Sequence, residues 1–220
     1  MKAHASDQAV ERPSVWRQSM RQLIALTLPR RCFMVRGPRR DRAVYLTFDD
    51  GPHPEHTPHV LDVLKQHHVR ATFFVVGRHA ERHPGLVQQI AADGHSLGNH
   101  TWSHQDLRTL TTTQILNEVL RTRELLLSLT GKTINLFRPP HGKVSATALL
   151  PLWWAQQTLI LWNVDTKDYR CVDDTQRHRC FDRLKPGAII LAHDTRPRDA
   201  QSLPRWIASA RDRQLRFHPL

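Results

Sequence analysis

From Ala43 onward the chain alternates short β-branched and aromatic runs with longer amphipathic ones, and this alternation limits its fold more than any other feature. The short runs, 44–48, 72–76, 95–98, 134–137, 158–164, 188–192 and 215–218, read as strands. Between them, 57–67, 79–92, 113–129, 145–157, 175–184 and 203–213 carry helical periodicity. Thr111 and Gln114 have the spacing of a capping box, and Gly131 stands where a helix-ending glycine is expected. Ile115, Leu116, Val119, Leu120 and Leu127 would form the apolar face of the helix between them. Strands separated by helices pair in parallel. The alternation alone fits an open doubly wound sheet and a barrel equally well.

The ends of the apolar runs carry the titratable residues. The run 43–48 finishes in Asp49-Asp50-Gly51-Pro52. Two adjacent carboxylates at the mouth of a buried strand repel each other unless a cation sits there or one is protonated. Alone, the run also fits a solvated turn. Partners follow in His100 and His104, which face one way if residues 100–104 make a helical turn. Among 15 histidines such a pair arises easily by chance, so its weight comes from the aspartates. Asp50, His100 and His104 would leave open positions on a bound ion, as a catalytic zinc site requires; the same ligands suit non-haem iron. Further on, Arg138 ends a short extended run, Asp165 and Asp168 follow an apolar strand, and His193 ends another. Each has a structural reading of its own: a surface ion pair, a turn, a satisfied core histidine. Repeated placement at strand C-termini is what a β/α barrel active site looks like.

Five motifs in this order resemble the polysaccharide deacetylases of carbohydrate esterase family 4, the NodB-homology domain. They are T-F-D-D-G-P at 47–52, H-x-x-x-H at 100–104, R-P-P-x-G at 138–142, D-x-x-D-Y at 165–169 and L-x-H at 191–193. In size and layout the chain is most similar to the small chitooligosaccharide deacetylase type. The resemblance implies an irregular (β/α) barrel with fewer than eight complete units, its active site at the C-terminal ends of the strands. It divides the chain into a basic arm, 1–42, and a deacetylase domain, 43–220. The implied reaction is metal-dependent hydrolysis of an N-acetyl group on an amino sugar, with one divalent ion, zinc before others, on Asp50, His100 and His104. Asp49 would be the general base, Arg138 its partner, His193 the acid that protonates the leaving amine, and Asp168 the anion that keeps His193 cationic. The backbone N–H of His141 would meet the oxyanion, and Tyr169 and Leu191 would wall a pocket for the acetyl methyl. The family more often has tyrosine at the position of His141 and tryptophan at that of Tyr169. Asp194 is expected as a partner of a metal-binding histidine.

Two rival readings keep these residues but change the outcome. One is an O-acetyl esterase, or a deformylase acting on a lipid-linked amino sugar; the other is a non-catalytic cationic module that binds glycan or membrane. Charge bears on both. The 220 residues carry a formal net charge of +12, which favours anionic partners. No nucleic-acid-binding motif accompanies the charge, so nucleic acid ranks low. Trp16, Met20, Leu23, Ile24 and Leu28 recur at helical spacing among arginines, predicting an amphipathic helix that packs on the barrel or lies on an anionic membrane surface. The short apolar run within it, flanked by arginines, makes a poor export signal, so a cytoplasmic or peripheral location is expected. Cys32, Cys171 and Cys180 lack metal-binding spacing; Cys171 and Cys180 are read as free thiols unless an oxidising compartment pairs them.

Overall fold

The structure, a computed structural model, describes residues 28–144, 146–170 and 179–220. Nine strands form one sheet: β1 (Phe33–Met34), β2 (Ala43–Asp49), β3 (Thr72–Val75), β4 (Ser96–Asn99), β5 (Leu136–Phe137), β6 (Thr158–Ile160), β7 (Val164–Asp165), β8 (Ile189–His193) and β9 (Arg216–Phe217). Their order is β1-β6-β5-β4-β3-β2-β8-β7, with β9 beside the start of β2. Every pairing is parallel. The sheet curls into a half-barrel, and Asn163 brings its two sides together: its N–H donates to the Ile189 carbonyl and its Oδ1 accepts from the Ile189 N–H. The expected irregular barrel is the fold observed.

All seven residues of β2 are buried, because it has parallel neighbours on both sides and side chains beneath and above. One face of the strand looks into the barrel, where Ala43 and Tyr45 meet Phe74, Ile160 and Ile189. The other packs under the helices, where Phe48 stacks on Phe73 with ring centroids 5.0 Å apart. Helix α1 (His56–Gln66) buries Thr57, Val60, Leu61 and Leu64, a stripe at helical spacing. Two short helices follow, α2 (Gly77–Arg82) and α3 (Pro84–Ala92), where one was expected. Pro84 separates them by forcing His83 out of the helical region.

Helix α4 (Thr112–Thr130) begins with the Thr111–Gln114 capping box and ends on Gly131, whose φ of 67° a residue with a side chain would resist. Its buried stripe is Ile115, Val119, Thr122 and Leu126, while Leu127 is exposed. The expected face, which included Leu127, was therefore turned by one residue. Helices α5 (Ala146–Trp154) and α6 (Pro197–Asp212) complete the set. The latter starts before the expected 203, with Asp199 accepting from the Arg196 N–H at its first turn.

Three further expectations shift. The strand expected over 158–164 splits into β6 and β7, and β1 adds a strand from within the first 42 residues. The helix expected over 175–184 falls partly outside the described residues; its visible end is a 3-10 turn, Phe181–Arg183, whose Phe181 stacks on Trp206. The amphipathic stretch before Leu28 and Cys171 also lie outside them. Cys32 carries a free thiol. Among the described residues, no helix is long and apolar enough to cross a membrane.

Candidate active site

Because the strands run in parallel, the residues at their C-terminal ends converge at one mouth of the half-barrel. Asp49 is the last residue of β2 and is buried. Asp50 follows with φ 75°, so the chain turns sharply and the two carboxylates diverge. The turn is braced from behind. Asp194, fully buried, lies against Gly51, where a Cβ would overlap its carboxylate, and accepts a 2.5 Å hydrogen bond from Thr57 Oγ1. Burial pushes the Asp194 carboxyl up to about 7. This corrects the expectation for Asp194: it holds the Gly51–Pro52 turn, while His100 Nδ1 lies 2.6 Å from the Arg138 carbonyl.

His100 and His104 converge, but not through a helical turn. Residues 100–104 are irregular, with Thr101 and His104 at φ 65° and 61°. Side chains replace the missing ladder: Asn99 Oδ1 accepts from the Thr101 N–H at 2.9 Å, and Thr101 Oγ1 from the His104 N–H at 3.1 Å. Both imidazoles are thereby aimed at Asp50. His100 Nε2 and His104 Nε2 lie 3.3 and 3.1 Å from Asp50 Oδ1. Burial would push the Asp50 carboxyl up, but the two imidazoles beside it hold it far below the ordinary carboxylate range.

Asp50, His100 and His104 each offer one ligand atom, all within 4.8 Å of one another. Asp50 Oδ1 and His100 Nε2 are buried without a hydrogen-bond partner among the described residues. Buried polar atoms left unpaired are costly. Two nitrogens and a carboxylate oxygen converging in that condition fit a divalent cation, which would satisfy both atoms at once.

Arg138 follows β5 and is completely buried, its guanidinium 4.1 Å from the Phe74 ring centroid and 5.6 Å from that of Trp162. A buried charge needs a partner. Nη1 donates to Asp49 Oδ1 at 2.6 Å and to Thr47 Oγ1 at 2.7 Å. Thr47 lies two residues before Asp49 in β2 and so shares its face. Asp49 Oδ2 remains 3.8 Å from His100 Nε2, beside the cluster without joining it.

On the opposite flank, His193 ends β8 with Nε2 3.9 Å from Asp50 Oδ2. Asp168 grips it twice: Oδ1 lies 2.8 Å from Nδ1, and Oδ2 accepts from the backbone N–H at 2.6 Å. Burial alone would push the His193 imidazole down. The hydrogen bond and charge of Asp168, with smaller pulls from Asp49 and Asp50, leave it raised to about 9. Tyr169 lies edge-on to the His193 ring, its hydroxyl donating to Asp165 Oδ2 at 3.0 Å. Leu191, buried two residues before His193, shares its face of β8. His141 sits on a short turn at φ 57°, edge-on to His104 with ring centroids 5.0 Å apart.

All ten residues singled out in the sequence thus lie at or beside one cluster. What the sequence did not single out is the support: Thr47, Thr57, Phe74, Trp162 and Asp199. Period-two alternation in β2 could have revealed Thr47. Asp199 could not have been found that way; it is buried in the first turn of α6, its carboxyl pushed up to about 7 by burial and by the charge of Asp168.

Comparison with known proteins agrees with this geometry. The polysaccharide deacetylase family profile matches residues 36–155, and the chain belongs to that family. It is 41% identical over 162 residues to a peptidoglycan-N-acetylglucosamine deacetylase of Bacillus cereus, covering 72% of this chain and 58% of that protein. The chain therefore spans little more than half the length of that relative. It is 39% identical over 160 residues to a chitooligosaccharide deacetylase of Rhizobium leguminosarum bv. trifolii, covering 72% of this chain and 74% of the other. The solved structure of the Bc1960 peptidoglycan N-acetylglucosamine deacetylase superposes with a TM-score of 0.82 at 34% identity, covering 86% and 91% of the two chains.

Proposed function

We propose that this member of the polysaccharide deacetylase family is a hydrolase that removes N-acetyl groups from amino-sugar residues of a poly- or oligosaccharide. The observation that carries the reading is the flanking of one cation-ready cluster by two separately held proton carriers, Asp49 on Arg138 and His193 on Asp168. Amide hydrolysis needs both: a base to take a proton from water, and an acid to give one to the amine as the C–N bond breaks. The names of the relatives, peptidoglycan and chitooligosaccharide deacetylases, point to the same substrate class.

In this reading Asp50, His100 and His104 hold the divalent ion, zinc before others. Bound there, it would supply Lewis acidity, polarising a carbonyl and lowering the pKa of water. Asp49 Oδ2, free of the Arg138 bond, receives the proton of the attacking water. Arg138 and Thr47 fix the other carboxylate oxygen, so the base is oriented before substrate arrives. The His141 backbone N–H donates to the oxyanion of the tetrahedral intermediate. His193, protonated near neutrality, passes its Nε2 proton to the departing amine and becomes neutral, while Asp168 stays ionised and keeps the ring oriented through Nδ1. Leu191 and Tyr169 bound the space for the acetyl methyl.

Acetate release tests the proposal. N-acetylglucosamine oligomers, peptidoglycan and lipid-linked amino sugars are each incubated with the protein, with and without chelator. Chelator-sensitive acetate from a glycan is expected. Release from O-acetyl esters alone, formate in place of acetate, or no turnover of any substrate by metal-loaded protein would refute it.

A further inference from the structure

The end of the barrel opposite the Asp50 cluster gathers exposed cations and the most exposed aromatic residues described. Since all strands run in parallel, residues just ahead of a strand lie at this end. Trp153 and Trp154 close α5 just before β6 and are 57% and 81% exposed, with Leu150 59% exposed in the preceding turn. The chain enters β1 beside them, Thr158 Oγ1 donating to the Arg31 carbonyl at 2.7 Å. Leu28 and Arg31 are exposed there. Arg42 immediately precedes β2, Lys185 lies ahead of β8, and Arg213 leads into Arg216 of β9. These segments, remote in sequence, are tied together: Arg42 Nη2 and Nε donate to the carbonyls of Arg213 and Gln214 at 3.0 and 3.2 Å. Together they line a shallow hollow of about 360 Å³ bounded by Arg42, Lys185 and Arg213. Asp41 and Asp212 are the acids nearest this rim in sequence.

We propose that this end of the barrel is a docking face for an anionic lipid bilayer. Arginines alone would suit any polyanion. Exposed Trp153, Trp154 and Leu150 add what a soluble polyanion does not reward: indole rings favour the headgroup level, and apolar side chains are drawn out of water there. Cations beside them gain from the negative surface potential of anionic lipid. In sequence, the segment ahead of Leu28 repeats Trp16, Met20, Leu23 and Ile24 at helical spacing among arginines. Docking here leaves the Asp50 cluster at the far mouth, open to a substrate outside the bilayer.

Vesicle co-sedimentation with the full chain tests this. Binding is expected to vesicles of phosphatidylglycerol mixed equally with phosphatidylcholine, absent with phosphatidylcholine alone, and lost in about 1 M salt, where screening reaches within about 3 Å. Trp153→Ala with Trp154→Ala, and separately Lys185→Glu with Arg216→Glu, should each weaken binding by roughly tenfold or more at unchanged melting temperature. A chain lacking residues 1–27 should still bind, more weakly. Equal binding to neutral vesicles, or none to either, would overturn the proposal. So would inorganic polyphosphate held as tightly as vesicles with no dependence on the tryptophans, which marks a polyanion site. Retention of full binding by both double variants while truncation abolishes it would place the contact in the first 27 residues instead.

Discussion

Replacing Asp168 by Asn tests the acid half of the proposed mechanism. Asp168 accepts from both the side chain and the backbone of His193, and the imidazole is raised from 6.5 to about 9. That rise of about 2.5 units corresponds to roughly 3 kcal/mol favouring the imidazolium, at 1.36 kcal/mol per unit. Asp49 and Asp50 contribute part of it, and a cation on Asp50 would cancel part of theirs; the Asp168 share survives metal binding. With the amide in place, burial is opposed only by the smaller pulls of Asp49 and Asp50, and the pKa should fall back toward about 6.5. At about pH 8 the protonated fraction then falls from ~0.9 to ~0.03, a loss of about 30-fold, while near pH 6 the loss should be less than about twofold.

The basic limb of kcat against pH, with a ring-proton titration of His193, measures the shift. Stability gives a second readout of the same coupling. Because the folded pKa lies above the unfolded one, the His193–Asp168 pair contributes its full stabilisation below about pH 6.5 and loses it as pH rises through about 9. Denaturant midpoints of the parent should therefore decline across that window, and those of the variant should not. A basic limb that stays in place in Asp168→Asn, with the His193 titration moved, would show that His193 is not the acid. An unmoved His193 titration would refute the coupling itself.

The aspartates should separate by role. Asp50→Ala should lose bound metal and activity together, whereas Asp49→Asn should keep metal and lose turnover; metal analysis beside acetate release decides, and the reverse pattern would exchange the assignments. His141→Gly should retain activity within about tenfold, because the proposed donor is a backbone N–H. Relief of its positive φ, worth of order 1 kcal/mol, should leave stability level or slightly raised. A loss of 10²–10³-fold, the usual cost of a missing oxyanion donor, would mean that the imidazole itself takes part. Trp206→Ala should lower unfolding free energy by about 3–5 kcal/mol, since the side chain is 2% exposed and stacked on Phe181. A loss under about 1 kcal/mol by denaturant titration would mean that the packing beneath α6 is looser than described.

Most of the fold was legible because strand and helix periods survive in short windows. β2, β3 and α4 were expected within a residue or so of where they lie, and each has a local cause: β-branched runs, a capping box, a C-terminal glycine. What was not legible depends on long-range partners. β1 is two residues long and exists because its neighbour β6 accepts it at the sheet edge. The break between α2 and α3 was a local signal, a proline, set aside in favour of periodicity.

The candidate site divides along the same line, and the division has a physical reason. Residue identities came from motif order, but the geometry that makes them converge departs from regular structure. Asp50, His104 and His141 all hold positive φ, which costs of order 1 kcal/mol or more at each non-glycine residue. No local preference asks for these conformations, so the sequence could offer convergence of His100 and His104 only on condition of a helical turn, and the two converge without one. They persist because the surroundings over-determine them: β2 is buried along its whole length, Thr57 and Asp194 clamp Gly51, and Asn99 and Thr101 hold the loop that carries His104. The same strain makes the ligand set meet. A relaxed turn at Asp50 would extend the chain along β2 and send its carboxylate to the face opposite Asp49. The left-handed residue keeps Asp50 at the mouth, within reach of both imidazoles, while Asp49 stays behind it on Arg138. One strained residue therefore separates a ligand from a base only one position away.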